Sequence, residues 1–368
     1  MPRVLLASAL AASALAGCTP APAGPPVVVL FPGDADDAWG ASAEVLREEL
    51  ADDGYAVEVR FAGDDIPLQL GQLREALTAA PTAVVLAPVD ATSVAAVLDA
   101  AGGTDADDVA VIAYDELVLD SEHVDYYATF DHRAAGRMRA EALVAALGLD
   151  EEGPDAEPVA IELLAGSGDD RGAREAFAGS LEVLQPYLDA GRLVVPSERT
   201  SLEQAAILRG SPATAADRVA ELLDAGVPLA GVLSPSDAMS AAVAEVLADA
   251  GLVVRGAAEP SSSPSTGPGE PDDEPERRPA SVVLTGGGSS LAGARAVRDG
   301  TQTSTVYEDP RELARVVASM VREVVEGSAP TVTRGVTTDN GIREVPTRLL
   351  EPRLVASRAD AAKVAGGR

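Results

Sequence analysis

Basic residues, aromatics, cysteine and histidine are all scarce in this 368-residue chain. Against 28 Lys+Arg stand 59 Asp+Glu, a formal charge of −31, and a field of that sign repels nucleic acid and anionic membrane surfaces. A nucleic-acid-binding role is therefore excluded as a partner class. The single cysteine, Cys18, cannot form an intrachain disulfide. With only two histidines, His123 and His132, no Cys/His zinc site of ordinary spacing can be assembled, and no metal or cofactor is expected. Aromatics make up 3% of the chain, so the only tryptophan, Trp39, is informative wherever it lies.

What is present is apolar residue in quantity: 46% of the chain is hydrophobic, enough for two domains of about 150 residues each. Met1–Cys18 carries one arginine and then small and apolar residues from Val4 to Gly17, too short a run for a permanent membrane span and built like an export signal. Leu15-Ala16-Gly17-Cys18 resembles the bacterial lipobox, which implies that Cys18 becomes the lipid-bearing first residue of a membrane-anchored, extracytoplasmic lipoprotein. Residues 19–26 (TPAPAGPP from Thr19) read as an extended tether.

Beyond the tether the pattern is cyclic. Val27–Phe31 (VVVLF) is a short β-branched run of the kind buried on both faces of a parallel sheet. A helix over Ala41–Asp53, a strand over Tyr55–Phe61, a helix over Pro67–Ala80, and strands at Ala83–Pro88 and Val109–Tyr114 around the helix Thr92–Ala101 continue it. A second series of the same kind runs from the helix Ala134–Leu147 to the strand Ser281–Leu284. Such alternation specifies an α/β fold of two Rossmann-like, doubly wound lobes. Within residues 257–280, Glu259–Ala280 is rich in Pro, Ser, Gly and charge and reads as a disordered acidic surface insertion. Helices at Ser290–Arg298 and Pro310–Glu326 flank a strand at Thr303–Tyr307, and Asp339-Asn340-Gly341 favours a hairpin turn between two late extended stretches.

Seven segments in chain order resemble the sugar-binding periplasmic proteins of ABC transporters, in particular the xylose- and multiple-sugar-binding type: Asp64–Gln69 (DDIPLQ), Val111–Asp115 (VIAYD) with Asp125–Asp131 (DYYATFD), Ile161–Asp170 (IELLAGSGDD), Leu184–Tyr187 with Gly191–Val195, Pro212–Ala215, Val232–Asp237 (VLSPSD) and Thr337–Leu350. The resemblance covers about Val27 to Val355. It implies a periplasmic binding protein-like I fold with a three-strand hinge, closing on a monosaccharide and handing it to an ABC permease, and acting as a monomer. It also implies the lobe boundaries: residues 27–116 and 287–327 for the N-terminal lobe, 117–286 and 328–356 for the C-terminal lobe, and 357–368 as a tail.

A neutral sugar requires carboxylates and amides for its hydroxyls and an aromatic surface for its ring face. Trp39, in Gly33–Trp39 (GDADDAW) with Asp37 beside it, stands where the family places a stacking tryptophan. Asp90, Asp115, Asp131 and Asp237 each end a strand and match family acids in APVD, AYD, TFD and SPSD; a strand-end acid also serves commonly as a helix cap. Asp90 is the expected hydroxyl binder, and Asp115 the expected support of the hinge.

The departures bear on specificity. Ala38 replaces a family arginine, and His132, Arg171 and Gly172 stand where the family has asparagines. Thr285-Gly286-Gly287-Gly288-Ser289 replaces the family's SGQDA. His132 and Arg171 then either reshape the pocket for another solute, such as one carrying an acid group or phosphate, or the lobes have been kept for sensing or scaffolding with ordinary sugar transport lost.

Catalysis lacks its parts. There is no Gly-x-Ser-x-Gly elbow, the cysteine lies in the export signal, and neither histidine has an evident relay partner. The glycines at 286–288 lack both dinucleotide and P-loop spacing, and the adjacent Asp169-Asp170 do not by themselves flank a glycosidic bond. The chain is expected not to be an enzyme. A sugar-responsive transcription regulator shares the fold but needs a basic helix-turn-helix where this chain carries an export signal.

Overall fold

The computed structural model describes residues 24–36, 38–102, 108–151, 157–256 and 280–366. Cys18 and the export signal, Asp37, and all but the last residue of the acidic insertion lie outside the described residues.

The first sheet is laid down by β1 (Pro26–Phe31), β2 (Ala56–Phe61), β3 (Ala83–Leu86), β4 (Ala110–Tyr114) and β5 (Tyr126–Phe130), with α1 (Ala38–Asp52), α2 (Ile66–Thr78) and α3 (Ala95–Ala101) between its first four strands. The chain then builds the second lobe: α4 (His132–Leu147), β6 (Val159–Leu163), α5 (Arg171–Asp189), β7 (Leu193–Val194), the single turn α6 (Leu202–Ala205), α7 (Pro212–Asp224), β8 (Gly231–Leu233), α8 (Asp237–Asp249), β9 (Val253–Val254), β10 (Ser281–Gly288), α9 (Ala292–Asp299) and β11 (Ser304–Tyr307). It returns for α10 (Pro310–Val325), β12 (Thr337–Asp339) and β13 (Glu344–Leu350), and ends on the second lobe with β14 (Arg353–Val355) and α11 (Arg358–Gly366).

The strand orders are β12-β13-β5-β4-β3-β1-β2 and β14-β11-β10-β8-β6-β7, with β9 beside β10. Every pairing is parallel except β12 with β13 and β11 with β14. The apolar run that opens the first lobe explains its layering. Val27, Val29 and Phe31 point to one face, where α1 and α10 supply Leu46, Leu50, Leu313 and Val317. Val28 and Leu30 point to the other, against Leu73 and Leu77 of α2 and Leu98 of α3. In the second lobe, α4 and α5 cover one face through Leu143, Phe177 and Leu184, while α7 and α8 cover the other through Val219, Val243 and Leu247.

The lobe boundaries implied by the resemblance are corrected by the sheets. The first crossing is at Asp131 rather than after residue 116, because β5 pairs parallel with β4 and stays in the first sheet. Residues 115–125 connect β4 to β5 without a helix, burying Leu117, Val118 and Val124 in the first lobe. The second crossing is at Glu308-Asp309 rather than residue 286, since β11 pairs with β10. The third is at Glu351-Pro352 rather than residue 327, since β13 pairs with β5. Residues 357–368 are not simply a tail: α11 buries Ala361 against a cluster containing Val297 of α9 and Val355.

The Asn-Gly turn forms, but in the first lobe. Asn340 is buried, its Oδ1 accepts from the Ile342 and Arg343 amides, and its Nδ2 donates to the carbonyls of Val118 and Ser121. Gly341 takes the positive φ of 94° that the turn requires.

Candidate ligand cleft between the lobes

The carboxyl ends of the strands face each other across a cleft of about 730 Å³, the position at which open α/β sheets bind ligands. The first lobe contributes Asp64, Val89, Asp115 and Glu116, and the second contributes His132 and Arg139 of α4, Ser167, Asp170, Arg209, Ser236 and the backbone at Gly287-Gly288. Glu308 joins them from the second crossing.

A polar chain spans the hinge. The Thr129 hydroxyl lies 3.4 Å from Asp115 Oδ1 and 3.1 Å from His132 Nε2, and His132 Nδ1 lies 3.1 Å from Glu308 Oε1. Burial opposes charge on the imidazole, but Glu308 outweighs it, with Asp115 and Asp170 adding, and the His132 pKa rises to about 9. At neutral pH the ring is therefore an imidazolium that donates to Thr129 and Glu308. Burial pushes Asp115 up to about 6, and burial with Asp170 and Asp115 nearby pushes Glu116 up to about 7. Asp115 also sits at φ 63°, in a left-handed conformation that turns the chain out of β4.

Of the four strand-end aspartates expected to face the cleft, Asp115 lines it. Asp90 is a turn cap: its Oδ1 accepts from the amides of Thr92 at 3.1 Å and Ser93 at 2.8 Å and from the Thr92 hydroxyl. Those bonds hold its carboxyl below the usual range. Asp131 caps α4 by accepting from Ala134 N at 2.8 Å. Asp237 is held from within the second lobe, accepting from Gln302 Nε2 at 2.8 Å and the Thr305 hydroxyl at 2.7 Å. The residue types were legible in each case; the bond that occupies each carboxylate was not.

Arg171 opens α5 and donates from Nη1 to the Asp339 carbonyl at 3.5 Å, tying the second lobe to the β12–β13 hairpin of the first. Trp39 is half-buried at the start of α1, its ring centroid 5.2 Å from Phe31 and 6.1 Å from Tyr114. It lines a chamber of about 210 Å³ that shares Asp115, Gly288 and Glu308 with the main cleft, so an aromatic wall adjoins the polar one. Asp37 lies outside the described residues.

Glu116, Glu308, Arg139 and Arg209 are the residues that sequence reasoning missed. Glu116 follows Asp115 and Glu308 follows β11, both strand-end acids of the type already sought. Arg139 had a signal too: it follows His132 and Ala135 at helical spacing and falls among Gly136, Ala140 and Leu143, a cation on the buried face of α4. The glycine run explains how it fits. A Cβ on Gly287 would lie 2.5 Å from Arg139 Nη2, and one on Gly286 would lie 2.3 Å from Gln302 Nε2. Glycines here let a guanidinium and an amide close on the strand backbone.

Residues 27–329 match the family described as periplasmic binding protein domain. The chain is 34% identical over 330 residues to the multiple sugar-binding periplasmic receptor of Rhizobium radiobacter, an alignment covering 89% of this chain and 85% of that protein. It is 35% identical over 332 residues to the multiple sugar-binding periplasmic protein of Azospirillum brasilense, again covering 89% and 85%. Among solved structures, an ABC transporter solute-binding protein from Clostridium phytofermentans with bound β-D-glucose superposes with a TM-score of 0.76 at 26% identity, covering 93% of this chain and 97% of that one. Matched in fold along both lobes and in sequence from the first strand onward, the chain belongs to the type I sugar-binding periplasmic proteins.

Proposed function

We propose that this protein captures a carbohydrate in the interlobe cleft by hinge closure and delivers it to an ABC importer from an extracytoplasmic position, anchored through a lipid on Cys18. The observation that carries the binding reading is the polarity of the cleft. One wall offers the acceptors Asp115 and Glu116, the other the donor Arg139, and Trp39 supplies an aromatic face alongside. A sugar hydroxyl both donates and accepts, so a polyol can satisfy both walls at once. Binding free energy then drives closure, because only the closed form makes both sets of contacts.

Calorimetry of the purified chain against neutral pentoses, hexoses and sugar acids tests the binding reading; absence of heat with all of them would refute it. Cell fractionation tests the anchor. Recovery in the detergent-soluble envelope, abolished by Cys18→Ala, is expected, and recovery in the cytosol would refute it.

A further inference from the structure

Arg139 is 6% exposed, yet it lines the ligand cleft. Its Nε donates to the Gly286 carbonyl at 3.3 Å, and among the described residues that is its one hydrogen bond; no carboxylate comes within 4.0 Å. Its terminal nitrogens carry no hydrogen bond to a described residue and keep contact with the solvent of the cleft, so an acceptor that enters the cleft can pair with them. Burial weighs against its charge, while Glu308 and Asp237 favour it only from a distance.

The rest of that wall is also short of acceptors. Asp237 is spent on Gln302 and Thr305, and Asp170 accepts from the Ala173 amide as the cap of α5. Arg209, at φ 54°, presents a second cation to the same cleft, with its amide fixed by the Ser167 hydroxyl at 3.0 Å. Glu308 is engaged by His132 at the hinge, and the acids Asp64 and Glu116 are on the opposite wall.

The geometry points to Arg139 as a specificity-determining residue that receives a carboxylate of the ligand at the cleft wall beside Gly287-Gly288, making the preferred solute a sugar acid rather than a neutral sugar. This rests on the carbohydrate reading and narrows it. The guanidinium fork matches a carboxylate in two parallel bonds, whereas a hydroxyl offers it a single weaker acceptor. The hydroxyls of the same solute face Asp115 and Glu116, so its acid and alcohol ends are sorted by the two walls.

The test is calorimetry of the full chain with D-glucuronate against D-glucose and D-galacturonate against D-galactose. Each acid is expected to bind about tenfold or more tighter than its parent sugar, weakening with added salt. Arg139→Gln should remove that ratio and Arg139→Lys should retain part of it, with thermal unfolding confirming that each variant is folded. Equal or tighter binding of the neutral sugars, or an acid-to-neutral ratio unmoved in folded Arg139→Gln, overturns the assignment while leaving the carbohydrate reading standing. Binding of neither class overturns both.

Discussion

His132 Nδ1 lies 3.1 Å from Glu308 Oε1, and this pair joins the first and second crossings between the lobes. The contact puts a charged pair where the hinge must bend, beside the carboxylate of Asp115.

Stability should fall steadily from pH 5 to pH 9. His132 is raised to about 9 when folded, above its unfolded value of about 6.5, so its contribution is complete below pH 6.5 and disappears as pH climbs through 9. Asp115 and Glu116, raised to about 6 and about 7, act in the same direction: above their unfolded values the folded state must carry buried charges that it disfavours. Thermal unfolding across this range is the measurement. Glu308→Gln should flatten the slope between pH 6.5 and 9, and an unchanged slope would show that the pair does not set the His132 charge.

Trp39→Ala should weaken ligand binding by about tenfold, the scale of one lost aromatic contact. Because Trp39 is the only tryptophan, ligand addition to the unmodified protein should change its intrinsic fluorescence. A saturable calorimetric signal with no fluorescence change would place the ligand away from the aromatic chamber.

Asp90→Ala should reduce stability by about 1 kcal/mol, as expected for loss of a cap, and leave affinity unaltered. The carboxylate is already occupied by Thr92 and Ser93. Denaturant unfolding and calorimetry separate the two effects, and a loss of affinity without loss of stability would restore Asp90 to the site.

Gly287→Ala should cost about 1–3 kcal/mol by overpacking, since its methyl group would stand 2.5 Å from Arg139 Nη2. The double variant Gly287→Ala/Arg139→Ala should recover part of that cost, because the two groups share one space. Strict additivity in denaturant unfolding would count against the close contact.

The parts of the site written locally could be read locally. Asp131 caps α4 as strand-end acids often do, and Asn340-Gly341 makes the turn its residue pair favours. The cleft itself could not be assembled that way. Thr129 and His132 are near neighbours in the chain, but their partner Glu308 comes from another crossing, and the glycines that admit Arg139 lie on β10, far from α4 in sequence.

By itself, the amino-acid sequence determined the α/β class, most of the strands and helices of both lobes though not β9 or α11, the faces of β1 that are buried and the family. The class, the elements and the buried faces follow from residue type at short spacing, and the family from the resemblance of segments in chain order to known proteins. Which sheet each strand joins was decided only in three dimensions. A parallel strand has the same apolar pattern in either sheet, and its membership depends on distant partners: β13 belongs with β5, and β11 with β10. Those pairings set the crossings at Asp131, Glu308-Asp309 and Glu351-Pro352, and with them the opposition of Asp115 and Glu116 to Arg139 across the cleft.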